Sequence, residues 1–257
     1  MAVAWARTRG MSRSDRFDVD PVAGTVRLPG NMSSIAAIEW DVPTHGTVIG
    51  TLLNDRAALA ALGDAVHAAP YLAPPQSVVL YIKPKNTWTA CGVPVVLPAS
   101  LQEVEIGATL GIVIGATACR VNEARAFDVV AGYTVVNDIS EPHSNVFRPA
   151  IRQRCRDGFC PIGPWVIARQ EVGVLDALDT RVFINGELRA THSTANLVRP
   201  VARLIADVSA FMTLCPGDVL LTGVTGNAPR ARVGDRVRIE IDRVGILENQ
   251  FVAEGRS

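Results

Sequence analysis

What most limits the folds open to this chain is the way its apolar residues are parcelled. They come in runs of about four to eight, rich in Val, Ile and Leu, and Gly, Pro or Asn-Gly closes most of them. Runs of that length suit strands, and few stretches carry the 3.6-residue period of a helix. Strands are expected over 47–53, 77–82, 93–97, 133–137, 165–168, 180–184, 218–222, 236–242 and 246–252. Asn185-Gly186 has the chemistry of a two-residue hairpin turn. Helices are expected over 56–68, near 122–130 and over 200–211. No strand–helix alternation runs through the chain. The pattern therefore predicts an α+β, mainly β, roll or sandwich with a few short helices.

The stretch 103–115 is apolar and β-branched, and reads as one or two buried strands. Gly107, Gly111 and Gly115 carry the spacing of a membrane helix dimer. The uncharged run that holds them, 106–119, is 14 residues long and too short to span a bilayer. Residues 1–45 read differently. Rich in Arg, Asp, Ser and Gly and without a sustained apolar period, they are expected to be a flexible N-terminal extension to a single domain over 46–257.

Of the 257 residues, 48% are hydrophobic and 19% charged, which argues against disorder. The 25 basic and 25 acidic residues cancel, so nothing draws the chain to nucleic acid or an acidic membrane. Five cysteines, an odd number with no C-x-x-C spacing, point to a reducing, cytoplasmic compartment rather than to disulfides or zinc. Only Lys83 and Lys85 among the basic residues are lysines. In a chain that otherwise uses Arg, this pair suggests a place where Arg does not serve, the alternative being chance clustering.

No nucleophile elbow, P-loop, dinucleotide fingerprint or H-E-x-x-H motif is present, and the four histidines are scattered. Two groups of charged residues stand out. Glu103-x-Glu105 on a strand would put two carboxylates on one face, and with Asp138 they could form an oxygen-rich Mg²⁺ or Mn²⁺ site; the alternative is a solvated strand end and a turn-capping Asp. Arg148, Arg152, Arg154 and Arg156 gather against Asp157. If extended, the last three share a face suited to a dicarboxylate, the alternative being a surface strand with ordinary ion pairs.

Four motifs occur in an ordered series: Gly132-Tyr133-Thr134-Val135-Val136-Asn137-Asp138, Arg156-Asp157-Gly158-Phe159-Cys160-Pro161-Ile162-Gly163-Pro164-Trp165, Asn185-Gly186-Glu187-Leu188, and Leu214-Cys215-Pro216-Gly217-Asp218 running on to Thr222-Gly223. Together they resemble the fumarylacetoacetate hydrolase family from about Gly46 to Glu254. Within it the likeness is to the isomerase/decarboxylase branch of 4-hydroxyphenylacetate breakdown. Tyr81-Ile82-Lys83-Pro84-Lys85-Asn86-Thr87 and Val104-Glu105-Ile106-Gly107-Ala108-Thr109-Leu110 resemble the N-terminal half of the duplicated form.

The resemblance implies a mixed β-roll and a small oxo-acid substrate. It implies decarboxylation of 5-oxopent-3-ene-1,2,5-tricarboxylate, then isomerisation of 2-hydroxyhepta-2,4-diene-1,7-dioate, with Mg²⁺ or Mn²⁺ holding the developing dienolate. It also implies a homodimer or an assembly with a paralogous subunit. An acylpyruvate-type C–C hydrolase is another activity of the family. By position, Lys83, Arg154 and Asp138 are expected to be catalytic, Lys83, Arg148, Arg152, Thr222 and Gly223 to bind substrate, and Asp138 to be the surviving metal ligand.

Several positions depart from the family pattern. Anchored on Val113-Ile114-Gly115, the two metal glutamates of the family fall on Gly107 and Thr109. Glu103 and Glu105 lie four positions earlier, roughly 13 Å back along an unbroken strand. Arg154 stands where a lysine is expected, and Ser140-Glu141-Pro142-His143 replaces S-x-R-D. A catalytically impaired supporting subunit is therefore a further expectation.

Overall fold

The computed structural model describes residues 1–68, 72–143 and 150–255. It differs most from the sequence reading at its N-terminus. Where a flexible extension was expected, the chain forms β1 (Ala2–Thr8), β2 (Asp15–Asp20), β3 (Thr25–Leu28), β4 (Asn31–Ser34) and the short β5 (Trp40–Asp41). These strands are built largely of small and charged residues, so alternation is hard to read. Ala4 and Ala6, buried on the inner face of β1, add little apolar signal.

The chain continues through β6 (Val48–Leu52), α1 (Arg56–Ala60), β7 (Val79–Lys83), β8 (Trp88–Ala90), β9 (Val95–Leu97), β10 (Val104–Glu105), β11 (Ala108–Ile114) and β12 (Val130–Asn137). Then come α2 (Ile151–Arg154), β13 (Cys160–Ala168), α3 (Arg169–Val172), β14 (Asp179–Ile184), β15 (Glu187–Ser193) and α4 (Val201–Ser209). The chain closes with β16 (Val219–Leu221), β17 (Arg230–Ala231), β18 (Arg236–Ile241) and β19 (Gly245–Ala253). The helix expected over 56–68 stops early. Asp55 caps α1 through the Ala58 amide at 2.9 Å, but Gly63 takes a positive φ of 49° and the chain goes on as a 3₁₀ turn.

Among the described residues the largest sheet has 12 strands, ordered β4-β3-β2-β1-β13-β12-β11-β16-β6-β7, with β5 on β1 and β8 on β13. A second sheet of five runs β15-β14-β18-β19-β9, and β10 pairs with β17. Every residue of β11 and β13 is buried, which is why these central strands read as continuous apolar runs. β14 and β18 alternate buried with less buried residues and turn one face inward. Asn185 (φ 54°) and Gly186 (φ 83°) make the β14–β15 turn with both central residues left-handed, as a type I′ hairpin requires. The run 103–115 is two strands, β10 and β11, separated at Ile106-Gly107. No helix among the described residues is long and apolar enough to cross a membrane.

Indole packing ties the N-terminal strands to the rest. The Trp40 indole N–H donates to the Ile35 carbonyl at 2.8 Å, and the ring stands edge-on to Phe17 and Trp165, with centroids 6.1 and 6.2 Å away. Trp165, on β13, donates in turn to the Val244 carbonyl at 2.8 Å, just before β19. One stack thus joins the N-terminal strands, the large sheet and the small sheet. Trp40→Ala is expected to destabilise the fold by about 3–5 kcal/mol while thermal unfolding remains one transition; two separated transitions in calorimetry would show that residues 1–45 fold apart.

Candidate active site

Two strand ends and a short helix converge where β7, β12 and α2 meet. Asp138 follows the last residue of β12, and its amide donates to the Gly107 carbonyl at 2.8 Å. Its side chain is fully buried, a position that costs several kcal/mol for a lone carboxylate. The cost is offset by two cations and a phenol. Lys83 Nζ lies 2.9 Å from Asp138 Oδ1, and Arg154 Nη1 lies 3.1 Å from Oδ2. The Tyr81 hydroxyl donates to Oδ2 as well. Tyr81 and Lys83 share a face of β7, since strand side chains alternate, and the Arg154 guanidinium lies over the Tyr81 ring at 4.7 Å.

Why the chain keeps a lysine here follows from the acceptors. Besides Asp138, Lys83 Nζ donates to the carbonyls of Ile139 at 3.0 Å and Arg154 at 2.5 Å. A compact ammonium meets three acceptors from three directions, whereas a planar guanidinium cannot. Burial alone would raise the Asp138 carboxyl, but Lys83 and then Arg154 outweigh it and hold the group below the usual carboxylate range. Tyr81 moves the other way. Burial and the facing Asp138 carboxylate hold its hydroxyl protonated, well above the usual phenol range.

Beside this cluster lies a cavity of about 540 Å³, within the range of small-molecule sites. Tyr81, Asp138 and Arg154 form part of its wall, with Glu105, His143 and Arg230 on other sides. Glu105 accepts from the Ser140 hydroxyl at 3.3 Å and lies 3.9 Å from Arg230 Nη2. Glu103 also pairs with Arg230, outside the cavity.

Of the residues expected from the sequence, Asp138, Lys83 and Arg154 come together. Lys83 sits behind Asp138 rather than in the cavity wall. Thr222 and Gly223 are not brought to this cavity but to a small cleft beside His192, and the buried Thr222 hydroxyl faces Thr109 at 3.3 Å. The face shared by extended Arg152, Arg154 and Arg156 does not form, because Ile151–Arg154 is helical. Arg152 is exposed, and Arg156 turns to Glu141. Arg148 lies outside the described residues. The sequence reading missed Tyr81, His143 and Arg230. Tyr81 was signalled by its place two residues before Lys83, whereas nothing local marks Arg230, which arrives on β17.

The donor set does not fit a divalent ion. Both Asp138 oxygens already face protein cations. At Gly107 a Cβ would come within 2.1 Å of the Asp138 carbonyl oxygen, so this backbone leaves no room for a glutamate. Thr109 is buried against Thr222, and Glu105 is held by Ser140. Among the described residues no three His, Cys, Asp or Glu side chains converge as a metal site. The expected Mg²⁺ or Mn²⁺ thus has no ligand set around Asp138, and the break before β11 leaves Glu103 and Glu105 paired with Arg230 instead.

The ion-pair cluster carries a stability signature. A carboxyl held low contributes stability above its unfolded pKa of about 3.9, and that stability is lost as pH falls through the lower folded value. Asp138→Asn strands two cations and is expected to cost about 3–5 kcal/mol at pH 7 and to flatten the loss of stability below about pH 4. Denaturant titrations across pH check both; a variant as stable as the wild type would contradict the reading.

Comparison with known proteins identifies the family. Residues 47–252 match the family model described as fumarylacetoacetate (FAA) hydrolase C-terminal. The 4-hydroxyphenylacetate degradation bifunctional isomerase/decarboxylase of Escherichia coli is 41% identical over 213 residues, covering 81% of this chain and 48% of that protein. The chain thus spans about half the length of that relative. The 5-carboxymethyl-2-hydroxymuconate delta-isomerase structure from Mycobacterium smegmatis aligns over the whole of both chains with a TM-score of 0.80 and 28% identity. The maleylpyruvate hydrolase of Sphingobium sp. SYK-6, solved with manganese(II) and pyruvate, aligns over 98% of this chain and 100% of its own at a TM-score of 0.76 and 25% identity. This chain belongs to the fumarylacetoacetate hydrolase family.

Proposed function

We propose that the chain is a subunit of an isomerase/decarboxylase of aromatic-compound breakdown. It acts in a reducing cytoplasm on small unsaturated oxo-acids with two or three carboxylates, those of the 5-oxopent-3-ene-1,2,5-tricarboxylate and 2-hydroxyhepta-2,4-diene-1,7-dioate type. The observation that carries this reading is the cavity of about 540 Å³ with Arg154 and Arg230 in its wall, in a chain 41% identical to a relative of that name. Guanidinium forks recognise carboxylates, and the dienolate common to both reactions needs a positive partner. Arg154 supplies that charge from a position fixed by Asp138 and the Tyr81 ring, and no step runs through a bound metal.

A second reading rests on Gly107 and Thr109. A chain lacking the family's glutamates can serve as the supporting half of an assembly whose metal-competent paralogue carries the remaining chemistry. Turnover of the dienol, followed by loss of its ultraviolet absorbance, separates the two. The first reading predicts turnover by this chain alone, unchanged by EDTA, and a drop of about 10²-fold or more in Arg154→Met. Activity that appears only with an E-x-E paralogue favours the supporting subunit, whereas EDTA-sensitive turnover by the chain alone would overturn the metal-free site.

A further inference from the structure

Among the described residues that line the cavity, His143 is the one imidazole, and it lies outside the Asp138 cluster. His143, half-buried on the segment after β12, lines the cavity. Its Nδ1 is 2.8 Å from the Glu141 carbonyl oxygen. A carbonyl can only accept, so Nδ1 carries the hydrogen and Nε2 keeps the lone pair of a base. The segment is itself anchored. The Glu141 amide donates to the Gln153 carbonyl at 2.9 Å, on α2, and the Glu141 carboxylate is engaged by Arg156.

Among the described residues, the other ionisable groups that line the cavity are committed elsewhere. Tyr81 gives its hydrogen to Asp138, and Asp138 is held by two cations. Arg154 and Arg230 are permanent cations. Glu105 already accepts from Ser140 beside Arg230. Taken with the reading of the cavity as an oxo-acid site, on which it rests, we infer that His143 is the catalytic residue that moves the proton between the oxygen and carbon ends of the dienol. Nε2 takes the enol O–H proton, and the O–H electron pair becomes the C=O bond. The two conjugated π pairs each move one bond along, and the far carbon takes a proton back from the imidazolium, which regenerates the neutral ring. Atoms and charge balance without a co-reactant.

The probe is 2-oxoheptanedioate, a stable saturated oxo-acid whose C3 hydrogens exchange with solvent deuterium through the corresponding simple enolate. Binding is measured by calorimetry and exchange by proton NMR from pH 5.5 to 8. The wild-type chain should bind and exchange across that range, fastest at its alkaline end, as a step that starts from a neutral base requires. His143→Gln should bind within about threefold of wild type, exchange roughly 10²–10⁴-fold more slowly, and lose that dependence on pH. In His143→Ala, added imidazole should restore exchange, which a merely misfolded variant would not show. Wild-type exchange in H143Q, or loss of exchange in E105Q but not in H143Q, would overturn the role of His143. Binding by the wild type with no exchange would overturn it while leaving the oxo-acid site standing. No binding at all would overturn the oxo-acid site and the role together.

Discussion

The buried carboxylate of Asp138 is the constraint around which the site is arranged. A lone charge at that depth is unaffordable, so three groups from two elements must reach it: Tyr81 and Lys83 from β7, and Arg154 from the end of α2. Each brings its element along. Lys83 holds two backbone carbonyls as well as Asp138, fixing the end of β12 against α2, and the Tyr81 ring gives Arg154 a surface to lie on. The cavity exists because these strand ends are held together at one edge of the large sheet. Removing Asp138 leaves two cations without their shared partner, whereas removing either cation leaves the other still paired with the carboxylate.

The same arrangement accounts for the chemistry. In a divalent-ion site, carboxylates surround a cation; here two cations surround one carboxylate. Two cations against one carboxylate leave a net positive charge here, which can neutralise the anion that forms when a 2-oxo-acid enolises. The substitution reaches the backbone, since Gly107 lies so close to the Asp138 carbonyl that restoring a glutamate there would force the strands apart. The absence of a side chain at 107 and the close approach of the Asp138 carbonyl thus go together.

Much of this was legible in the sequence. The central strand β11 announces itself as an unbroken apolar run, the second half of β13 was expected at 165–168, and Asn185-Gly186 announces its hairpin, because burial on both faces and left-handed turn residues leave plain signatures. The rarity of lysine singled out Lys83, and the three-acceptor cradle explains it. The N-terminal strands were not legible, since Ala4 and Ala6 bury almost no side chain and the decisive Trp40 makes its contacts far along the chain. Nor was the pairing of Glu105 with Ser140 and Arg230, which depends on the chain breaking at Ile106-Gly107 rather than running straight into β11. The arginine cluster misled because its spacing suits a strand, while Ile151–Arg154 turns as a helix and sends Arg154 inward and Arg152 outward.

A site in which protein cations stand where an ion would be makes a claim about binding that does not depend on turnover. Titration of the chain with Mn²⁺, followed by electron paramagnetic resonance with and without 2-oxoheptanedioate, tests it directly. The arrangement around Asp138 predicts that the signal of free Mn²⁺ persists undiminished in both titrations. Stoichiometric quenching of that signal, restored to the free form in Asp138→Asn, would show that the carboxylate ligates a metal and contradict the account.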